Sequence, residues 1–365
     1  MKNQLLFLII GLLFNLDSYA NYPPVRNNQD SINDGPYVFQ LNNKLKAKWV
    51  ENGVRKEAFI IPDNFHQIKK KFNLSFNYND LTDVYRLKPN YSQTYSNIDS
   101  ICVISDIHGE YTTYIDLLKG AGIIDKNLNW NFGTGHLVVL GDMFDRGDMV
   151  TEVLWHLFGL EKQAEKAGGM VHVLLGNHEF MTLRNSLVEI NDKYRKVEAI
   201  SNTDYADLYS EKSVLGKWLR SKPVVITIND IIFVHGGISM EMVQKNLKID
   251  QINKIFTTKV VGKNLQEVNK IEMLKFLNKT DGPLWYRGYF DDTDFCESKI
   301  DSILSFYGGK HIVVGHTPNK EIISLFSKKI LGADAGIMYN QPGEMLIYKN
   351  GSFYKSLRTG CRIGL

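Results

Sequence analysis

From residue 101 onward, the chain repeats one pattern of hydrophobic and polar positions, in which a short apolar run ends abruptly in Asp, Asn or His. Such a run is typical of a buried strand, which delivers the polar residue at its carboxyl end. Helical spacing over residues 111–119 and 149–166 alternates with these runs, and this alternation predicts an α/β fold. The runs and the polar residues after them are 101–104 with Asp106, 137–140 with Asp142, 171–175 with Asn177, 231–234 with His235 and 312–314 with His316.

Other stretches of the chain interrupt or extend this rhythm. Apolar residues at helical spacing over about 185–220 and 240–280 predict helical insertions over the sheet edge. Near the end of the chain, short apolar runs predict consecutive strands of a second sheet. These runs cover residues 322–326, 329–331, 344–348 and 352–357. Residues 100–365 are therefore predicted to form one α/β domain.

The segment before this domain, residues 21–99, is polar and aromatic. Residues 37–41 and 54–61 alternate between polar and apolar side chains, and the turn pair Asn52-Gly53 lies between them. This pattern predicts a β-hairpin within an N-terminal extension that covers residues 21–99.

The first twenty residues have the pattern of a secretory signal peptide. Lys2 precedes an apolar run over residues 5–14, and small residues lead up to Ala20. The run has 10 residues, which is well short of the roughly 20 that a membrane-spanning helix needs. We therefore expect cleavage after Ala20, a secreted or periplasmic mature protein, and no membrane association after cleavage.

Composition narrows the class of protein further. Of the 365 residues, 44% are hydrophobic and 23% are charged, which excludes disordered, collagen-like and coiled-coil chains. Lys and Arg number 43 against 40 Asp and Glu, so the net charge of +3 gives no sign of nucleic-acid binding. Three cysteines are too few for a disulfide scaffold and allow at most one bridge, whose partners the sequence leaves open, including whether Cys296 and Cys361 pair. Cys102 lies in a strand-like run with no Arg in the loop after it, so it is not a phosphatase nucleophile.

The polar residues at the predicted strand ends are candidate metal ligands. They are Asp106, His108, Asp142, Asn177, His235 and His316. Oxygen and imidazole ligands without thiolates suit a pair of Mn, Fe or Zn ions better than a structural zinc. A carboxylate that bridges two ions allows them to share a hydroxide, and Asp142 is the predicted bridge.

Further residues near these ligands suit phosphate chemistry. Arg146 offers a planar cationic fork, and Arg287 offers a second one next to Tyr286. His178 adjoins Asn177 and can donate a proton to a leaving oxygen, while Asp145 can hold its imidazole in the donating tautomer. The predicted catalytic residues are His178, Asp145, Arg146 and Arg287, and the predicted substrate-binding residues are Arg146, Arg287, Asn177 and Tyr286.

These residues lie in motifs that resemble the phosphoprotein phosphatase family of calcineurin-like metallophosphoesterases, most closely its bacterial Shewanella-like branch. The motifs are Ser-Asp-Ile-His-Gly at 105–109, Gly-Asp-x-x-Asp-Arg-Gly at 141–147, Gly-Asn-His-Glu at 176–179, His-Gly-Gly at 235–237, Trp-Tyr-Arg-Gly at 285–288 and Gly-His-Thr-Pro at 315–318. The resemblance implies a four-layer αββα sandwich with two mixed sheets. It also implies one metal on Asp106, His108 and Asp142, and a second on Asp142, Asn177, His235 and His316.

The sequence departs from this family at two places. Ser105 stands where Gly is usual, and residues 333–336 replace the Ser-Ala-Pro-Asn-Tyr segment of eukaryotic serine/threonine members. The resemblance therefore implies a hydrolase of phosphoprotein phosphomonoesters that works by direct attack of a metal-bridging hydroxide, without fixing phosphotyrosine or phosphoserine and phosphothreonine as substrate. A dinucleoside polyphosphate hydrolase and a catalytically silent binding protein of the same fold are the alternatives. The oligomeric state stays open.

Overall fold

The computed structural model describes residues 32–42, 44–339 and 341–365. The predicted signal peptide lies outside these residues. The five apolar runs of the opening pattern all form strands, namely β5, β6, β7, β9 and β10. In chain order the strands are β1 Asp34–Leu41, β2 Lys44–Glu51, β3 Val54–Ile60, β4 Thr94–Tyr95, β5 Ser100–Ile104, β6 His136–Val139, β7 Met170–Val173, β8 Val225–Ile228, β9 Ile231–Val234, β10 His311–Val314, β11 Ile323–Leu325, β12 Ile330–Gly332, β13 Met345–Lys349, β14 Ser352–Ser356 and β15 Arg362–Gly364.

Two mixed six-stranded sheets form the centre of the described structure. One has the order β15-β14-β13-β5-β6-β7, and the other has the order β11-β12-β10-β9-β8-β4. Within the first sheet β5, β6 and β7 are parallel, and within the second β9 and β10 are parallel. Parallel neighbours end at the same edge of a sheet, so the residues after these strands meet there.

The alternation of side chains along the strands creates two cores. Ile101 and Val103 of β5 face a core that also contains Ile231 and Phe233 of β9, so the two sheets pack face to face. Cys102, between them in the sequence, faces the larger core instead, which the sheets share with the helices. The predicted arrangement of two mixed sheets between helical layers is confirmed.

Helices cover the outer faces of the sheets and form the predicted insertions. The helix expected over 111–119 extends to the left-handed Gly122, which frees the chain to turn. In chain order the helices are α1 Phe65–Lys71, α2 Tyr78–Asp83, α3 Tyr111–Ala121, α4 Val150–Lys166, α5 Asn177–Leu183, α6 Asp192–Ser201, α7 Tyr205–Leu208, α8 Val214–Arg220, α9 Met240–Gln244, α10 Ile249–Ile255, α11 Leu265–Asn269, α12 Glu272–Leu277, α13 Gly288–Asp291 and α14 Glu297–Tyr307. A π-helical turn, Phe256–Val260, follows α10.

The four late runs all form strands, as expected, but they are divided between the two sheets instead of making up the second sheet together. Strands β11 and β12 extend the sheet of β9 and β10, whereas β13 and β14 join the sheet of β5. Hydrogen-bonded pairing between strands explains this arrangement. Residues Ile330 to Gly332 of β12 pair in parallel with β10, and Leu346 of β13 pairs antiparallel with Val103 of β5. Local hydrophobic pattern identifies a strand but carries no information about its neighbour.

The N-terminal segment contains a three-stranded antiparallel sheet, β1-β2-β3, rather than two strands alone. Strand β2 was not foreseen, although its lysines alternate with Leu45, Ala47 and Trp49 as in a half-buried strand. Asn52 and Gly53 form the turn between β2 and β3, both with positive φ. Residues 32–365 form one compact unit, so the domain boundary near residue 99 stays a prediction.

A buried ion pair ties this small sheet to α6. The Lys193 Nζ lies 2.9 Å from Asp34 Oδ1, with side-chain exposures of 15% and 0%, and donates to the Asp148 carbonyl at 2.6 Å. We expect Lys193→Met to lower the free energy of unfolding by about 3 kcal/mol, because it leaves a buried carboxylate unpaired. Urea unfolding measures this loss. Lys196→Met, on the exposed face of the same helix, is the control, and equal stability of the two variants would contradict the assignment.

The structure describes the state of the three cysteines and the length of the helices. All three cysteines are free, with Cys102 buried in β5 and with Cys296 and Cys361 exposed. Burial raises the pKa of the Cys102 thiol to about 12, in agreement with an inert side chain. Among the helices of the described ranges, none is long and apolar enough to cross a bilayer.

Candidate active site

Tight backbone turns bring the strand ends together. A side chain on Gly141, whose φ is 106°, would collide with the backbone of Gly176, so the loops after β6 and β7 approach closely only because both residues lack a Cβ. Several of the predicted site residues themselves adopt left-handed backbone conformations, which non-glycine residues rarely do and which are frequent at functional sites. These residues are Asp106, His108, Asp142, Asp145, Arg146 and His316.

Asp142 lies at the centre of the site. Its Oδ2 atom is 3.3 Å from His235 Nε2, 3.7 Å from His108 Nε2 and 3.8 Å from His178 Nε2. Asp142 is 2% exposed, and burial would raise its pKa, but these imidazoles outweigh the effect of burial and hold the pKa well below its usual range. One carboxylate oxygen therefore faces imidazoles from three different loops, as a bridging ligand requires.

Backbone carbonyls fix the orientation of two of these imidazoles. The Nδ1 atoms of His108 and His235 lie 2.7 Å from the Phe144 carbonyl and 2.9 Å from the Leu140 carbonyl. When Nδ1 donates in this way, Nε2 is the atom left to bind a metal. Burial lowers the pKa of His235, but the Asp142 carboxylate outweighs it and raises that pKa to about 9, so a metal at this Nε2 would displace a proton. Burial lowers the pKa of His108 to about 3, so its imidazole is neutral, which is the form that binds metals.

The remaining predicted ligands line the same cavity wall. Asp106 Oδ2 accepts a hydrogen bond from the backbone N–H of His316 at 3.0 Å, and Asn177 Oδ1 lies 2.9 Å from His235 Nε2. Burial lowers the pKa of His316 to about 2, and its ring is therefore neutral as well. All six predicted metal ligands are brought together at one edge of the sandwich.

Two groups of His and Asp donor atoms lie close enough together to hold a metal ion. The assignment of Asp106, His108 and Asp142 to one ion stays a prediction. The groups whose donor atoms lie within 4.8 Å of one another are His108 with Asp142 and His178, and Asp142 with His235 and His316. His178 is thus within reach of a metal as well as of a substrate.

The chemistry of this donor set fits divalent metal ions. Asp106 and Asp142 are each 2% exposed, and the ion-pair partners that the described residues give Asp142 are all imidazoles. Two buried carboxylates that interact with each other are costly, and bound metal ions would offset their charge. The ligands are nitrogen and oxygen atoms from separate loops, as in catalytic two-metal sites.

His178 has the contacts of a proton donor. Its Nδ1 lies 2.6 Å from Asp145 Oδ2, and both side chains are buried. Burial alone lowers the pKa of His178, but Asp142 and Asp145 outweigh it and raise the pKa to about 9. The imidazole is therefore protonated at neutral pH, with Nε2–H directed into the cavity.

The two predicted phosphate-binding arginines line the cavity above the ligand cluster. This cavity has a volume of about 830 Å³ and is lined by Arg146, Arg287 and Tyr286 together with five of the six predicted ligands, all except His235. Tyr286 is buried, and its ring lies 5.1 Å from that of Tyr289. Most of its side chain therefore packs against the protein and little of it reaches into the cavity. Two guanidinium groups and a metal cluster around one cavity form a pocket for a dianion.

Glu179 is a site residue whose role the sequence analysis missed. Its carboxylate accepts hydrogen bonds from the backbone N–H groups of Gly176 at 2.7 Å, Asp142 at 2.8 Å, Met143 at 2.7 Å and Phe144 at 3.3 Å. Glu179 is fully buried. Burial and the nearby Asp142 raise its pKa to about 7, although the backbone hydrogen bonds act to lower it. The Glu179 side chain thus joins the loop after β6, which carries Asp142, to the loop after β7, which carries Asn177. The signal was present in the sequence, since Glu three residues after a helix N-cap is a capping pattern.

Comparison with known proteins agrees with this geometry. A calcineurin-like phosphoesterase family model matches residues 100–320. Shewanella-like protein phosphatase 1 of Plasmodium berghei is 30% identical over 281 residues, which cover 72% of this chain and 76% of that protein. The structure of a cold-active protein-tyrosine phosphatase of a psychrophile, Shewanella sp., is 36% identical with a TM-score of 0.83 and covers 91% of this chain and 99% of that chain. A symmetrical bis(5'-nucleosyl)-tetraphosphatase of Chromobacterium violaceum is 28% identical over 142 residues, or 39% of this chain and 44% of that protein.

The family match covers more than half of the chain, and it includes every loop that carries a predicted metal ligand. The clustered His and Asp donors supply the metal site that this chemistry needs. The chain therefore belongs to the calcineurin-like phosphoesterase family and is a metal-dependent phosphatase, similar to the Shewanella-like protein phosphatases.

Proposed function

We propose that the protein is a secreted or periplasmic phosphoprotein phosphatase that binds two metal ions and prefers phosphotyrosyl substrates. The similarity to the cold-active protein-tyrosine phosphatase carries the substrate proposal, because it extends over 91% of this chain at 36% identity. The cavity supports it as well. Trp285, Met338 and Tyr339 line the cavity beside the two arginines, and aromatic and thioether side chains favour an aryl group.

In this proposal, the ligand set is Asp106, His108, Asp142, Asn177, His235 and His316. The metal ions, when bound, supply Lewis acidity toward the phosphoryl oxygens and a water nucleophile at neutral pH. Arg146 and Arg287 bind the phosphoryl oxygens and offset their charge as the bond to the leaving group breaks. His178 donates its Nε2 proton to the leaving oxygen, and Asp145 holds the imidazole at Nδ1 through the 2.6 Å contact.

The substrate proposal is tested with two phosphopeptides that differ only in the phosphorylated residue. We expect kcat/KM for the phosphotyrosyl peptide to exceed that for the phosphothreonyl peptide at least about tenfold, which corresponds to about 1.4 kcal/mol of transition-state binding. Equal values, or a preference for phosphothreonine, would contradict the tyrosine proposal while leaving the phosphatase activity intact.

A dinucleoside polyphosphate hydrolase is the second candidate, because a bis(5'-nucleosyl)-tetraphosphatase is among the relatives. That similarity covers 39% of the chain, against 91% for the tyrosine phosphatase. Diadenosine tetraphosphate is therefore included in the same assay, and we expect its kcat/KM to be far below that of the phosphotyrosyl peptide. The catalytically silent alternative is not proposed, because every predicted catalytic side chain is present and lines or contacts the cavity.

The proposed location follows from the signal-like sequence of residues 1–20. It is tested by expressing the whole chain in a bacterial host and sequencing the N-terminus of the protein in each fraction. A periplasmic or secreted product that begins at Asn21 is expected. A cytoplasmic product that retains Met1 would contradict the proposed location.

A further inference from the structure

Arg146 is held by a segment outside the family motifs, residues 189–191, which lie at the start of the first helical insertion. Arg146 has a φ of 67°, a conformation that costs energy for a residue with a side chain. Such a conformation persists only where neighbouring groups fix it. Both polar groups of the Arg146 backbone find their partners in this segment.

The backbone contacts are short and come from two residues. The Arg146 N–H donates to the Glu189 carbonyl at 3.0 Å, and Asn191 Nδ2 donates to the Arg146 carbonyl at 2.7 Å. The same Asn191 side chain accepts from the Lys193 N–H at 2.9 Å and so caps α6. Ile190, between them, is 6% exposed and packs in the larger core, which anchors the segment.

The segment also contacts the guanidinium group. Arg146 Nη2 lies 3.0 Å from Glu189 Oε2, while Nη1 lies 2.7 Å from Met338 Sδ. The Arg146 side chain is 32% exposed and lines the cavity, so an incoming phosphate oxygen can reach its exposed part. An arginine side chain has many rotamers, and a carboxylate on one Nη restricts them before substrate arrives.

We infer that Glu189 is a positioning residue, which holds the Arg146 guanidinium ready for the phosphate group. The inference rests on the proposed function, in which Arg146 binds phosphate. Glu189 lines the same cavity as Arg146, and in this assignment its carboxylate acts through Arg146 rather than on the reacting atoms. The side chains of Arg146 and Glu189 are 32% and 45% exposed, so solvent screens the pair and its main effect is orientation.

The experiment compares wild type, Glu189→Ala and Glu189→Gln, with Glu198→Ala on α6 as the matched control. The readouts are kcat and KM for nitrophenyl phosphate, the inhibition constant of inorganic phosphate, metal content and thermal stability. We expect Glu189→Ala to raise KM and the inhibition constant together by about 3- to 5-fold, the effect of an exposed ion pair, with metal content unchanged. Glu189→Gln keeps an oxygen acceptor and should recover most of the loss.

A second comparison shows whether Glu189 acts through Arg146. In an Arg146→Ala background, Glu189→Ala should change phosphate inhibition by less than about twofold, because coupled residues do not contribute additively. A full effect in that background would overturn the inference, as would unchanged or lower constants in the single variant. Inhibition by phosphate does not depend on which substrate the enzyme prefers. The result can therefore be interpreted even if the protein shows no preference for phosphotyrosine.

Discussion

Asp142→Asn is expected to abolish turnover and metal binding together. The substitution keeps the shape of the side chain and the Oδ1 atom, which accepts a hydrogen bond from the backbone N–H of His178 at 3.0 Å. We therefore expect the variant to fold. It removes the charge that faces His108, His178 and His235 at the site centre. Because bound metals contribute several kcal/mol of transition-state stabilisation, we expect a loss in kcat of about 10³-fold or more.

The measurement pairs elemental analysis with nitrophenyl phosphate hydrolysis in the presence of added Mn. Asp148→Asn is the matched control, because Asp148 is an exposed carboxylate on the same loop as Asp142. The control should retain both metal and activity. An Asp142→Asn protein that still binds two ions and turns over at the wild-type rate would contradict the assignment of this residue as the bridge.

His178→Ala is expected to lose turnover while it keeps its metals. A general acid contributes roughly 10²- to 10⁴-fold to a rate, and the contribution grows as the leaving group becomes more basic. We therefore expect the smaller loss with nitrophenyl phosphate, whose leaving group needs little protonation, and the larger loss with an alkyl phosphate. Asp145→Asn should show the same dependence more weakly, since it disturbs the tautomer of His178 without removing the imidazole.

Metal content separates two roles that the geometry allows His178. Its Nε2 is 3.8 Å from Asp142 Oδ2 and belongs to one group of potential ligands, so it could act as a ligand as well as a donor. Retained metal, together with a loss that depends on the leaving group, supports the proton donor. Loss of metal with equal rate losses for both substrates would show that His178 is a ligand instead.

Much of the architecture could be predicted because it is encoded locally. The apolar runs before Asp106, Asp142 and His235 are continuous, as expected for strands buried on both sides, and each became a strand that ends just before its polar residue. Helix α3 ends at Ala121 because the next residue, Gly122, readily adopts the left-handed conformation that the turn needs.

What could not be predicted depends on contacts between distant segments. The pairing of Leu346 with Val103, which places β13 in the first sheet, joins residues far apart in the chain. The same is true of the carbonyl of Phe144 that orients His108, and of the segment around Glu189 that holds Arg146. Motif spacing identifies the residues of a site, whereas its supporting contacts arise only when the sheets pack together.

We propose that the strand ends form a two-metal centre in which Asp142 bridges the ions. Anomalous diffraction from crystals grown with excess Mn tests it most directly. We expect two peaks in the cavity, about 3.5 to 4 Å apart, on either side of the Asp142 carboxylate. A map without ions at this position, or with a single ion that Asp142 does not contact, would contradict it.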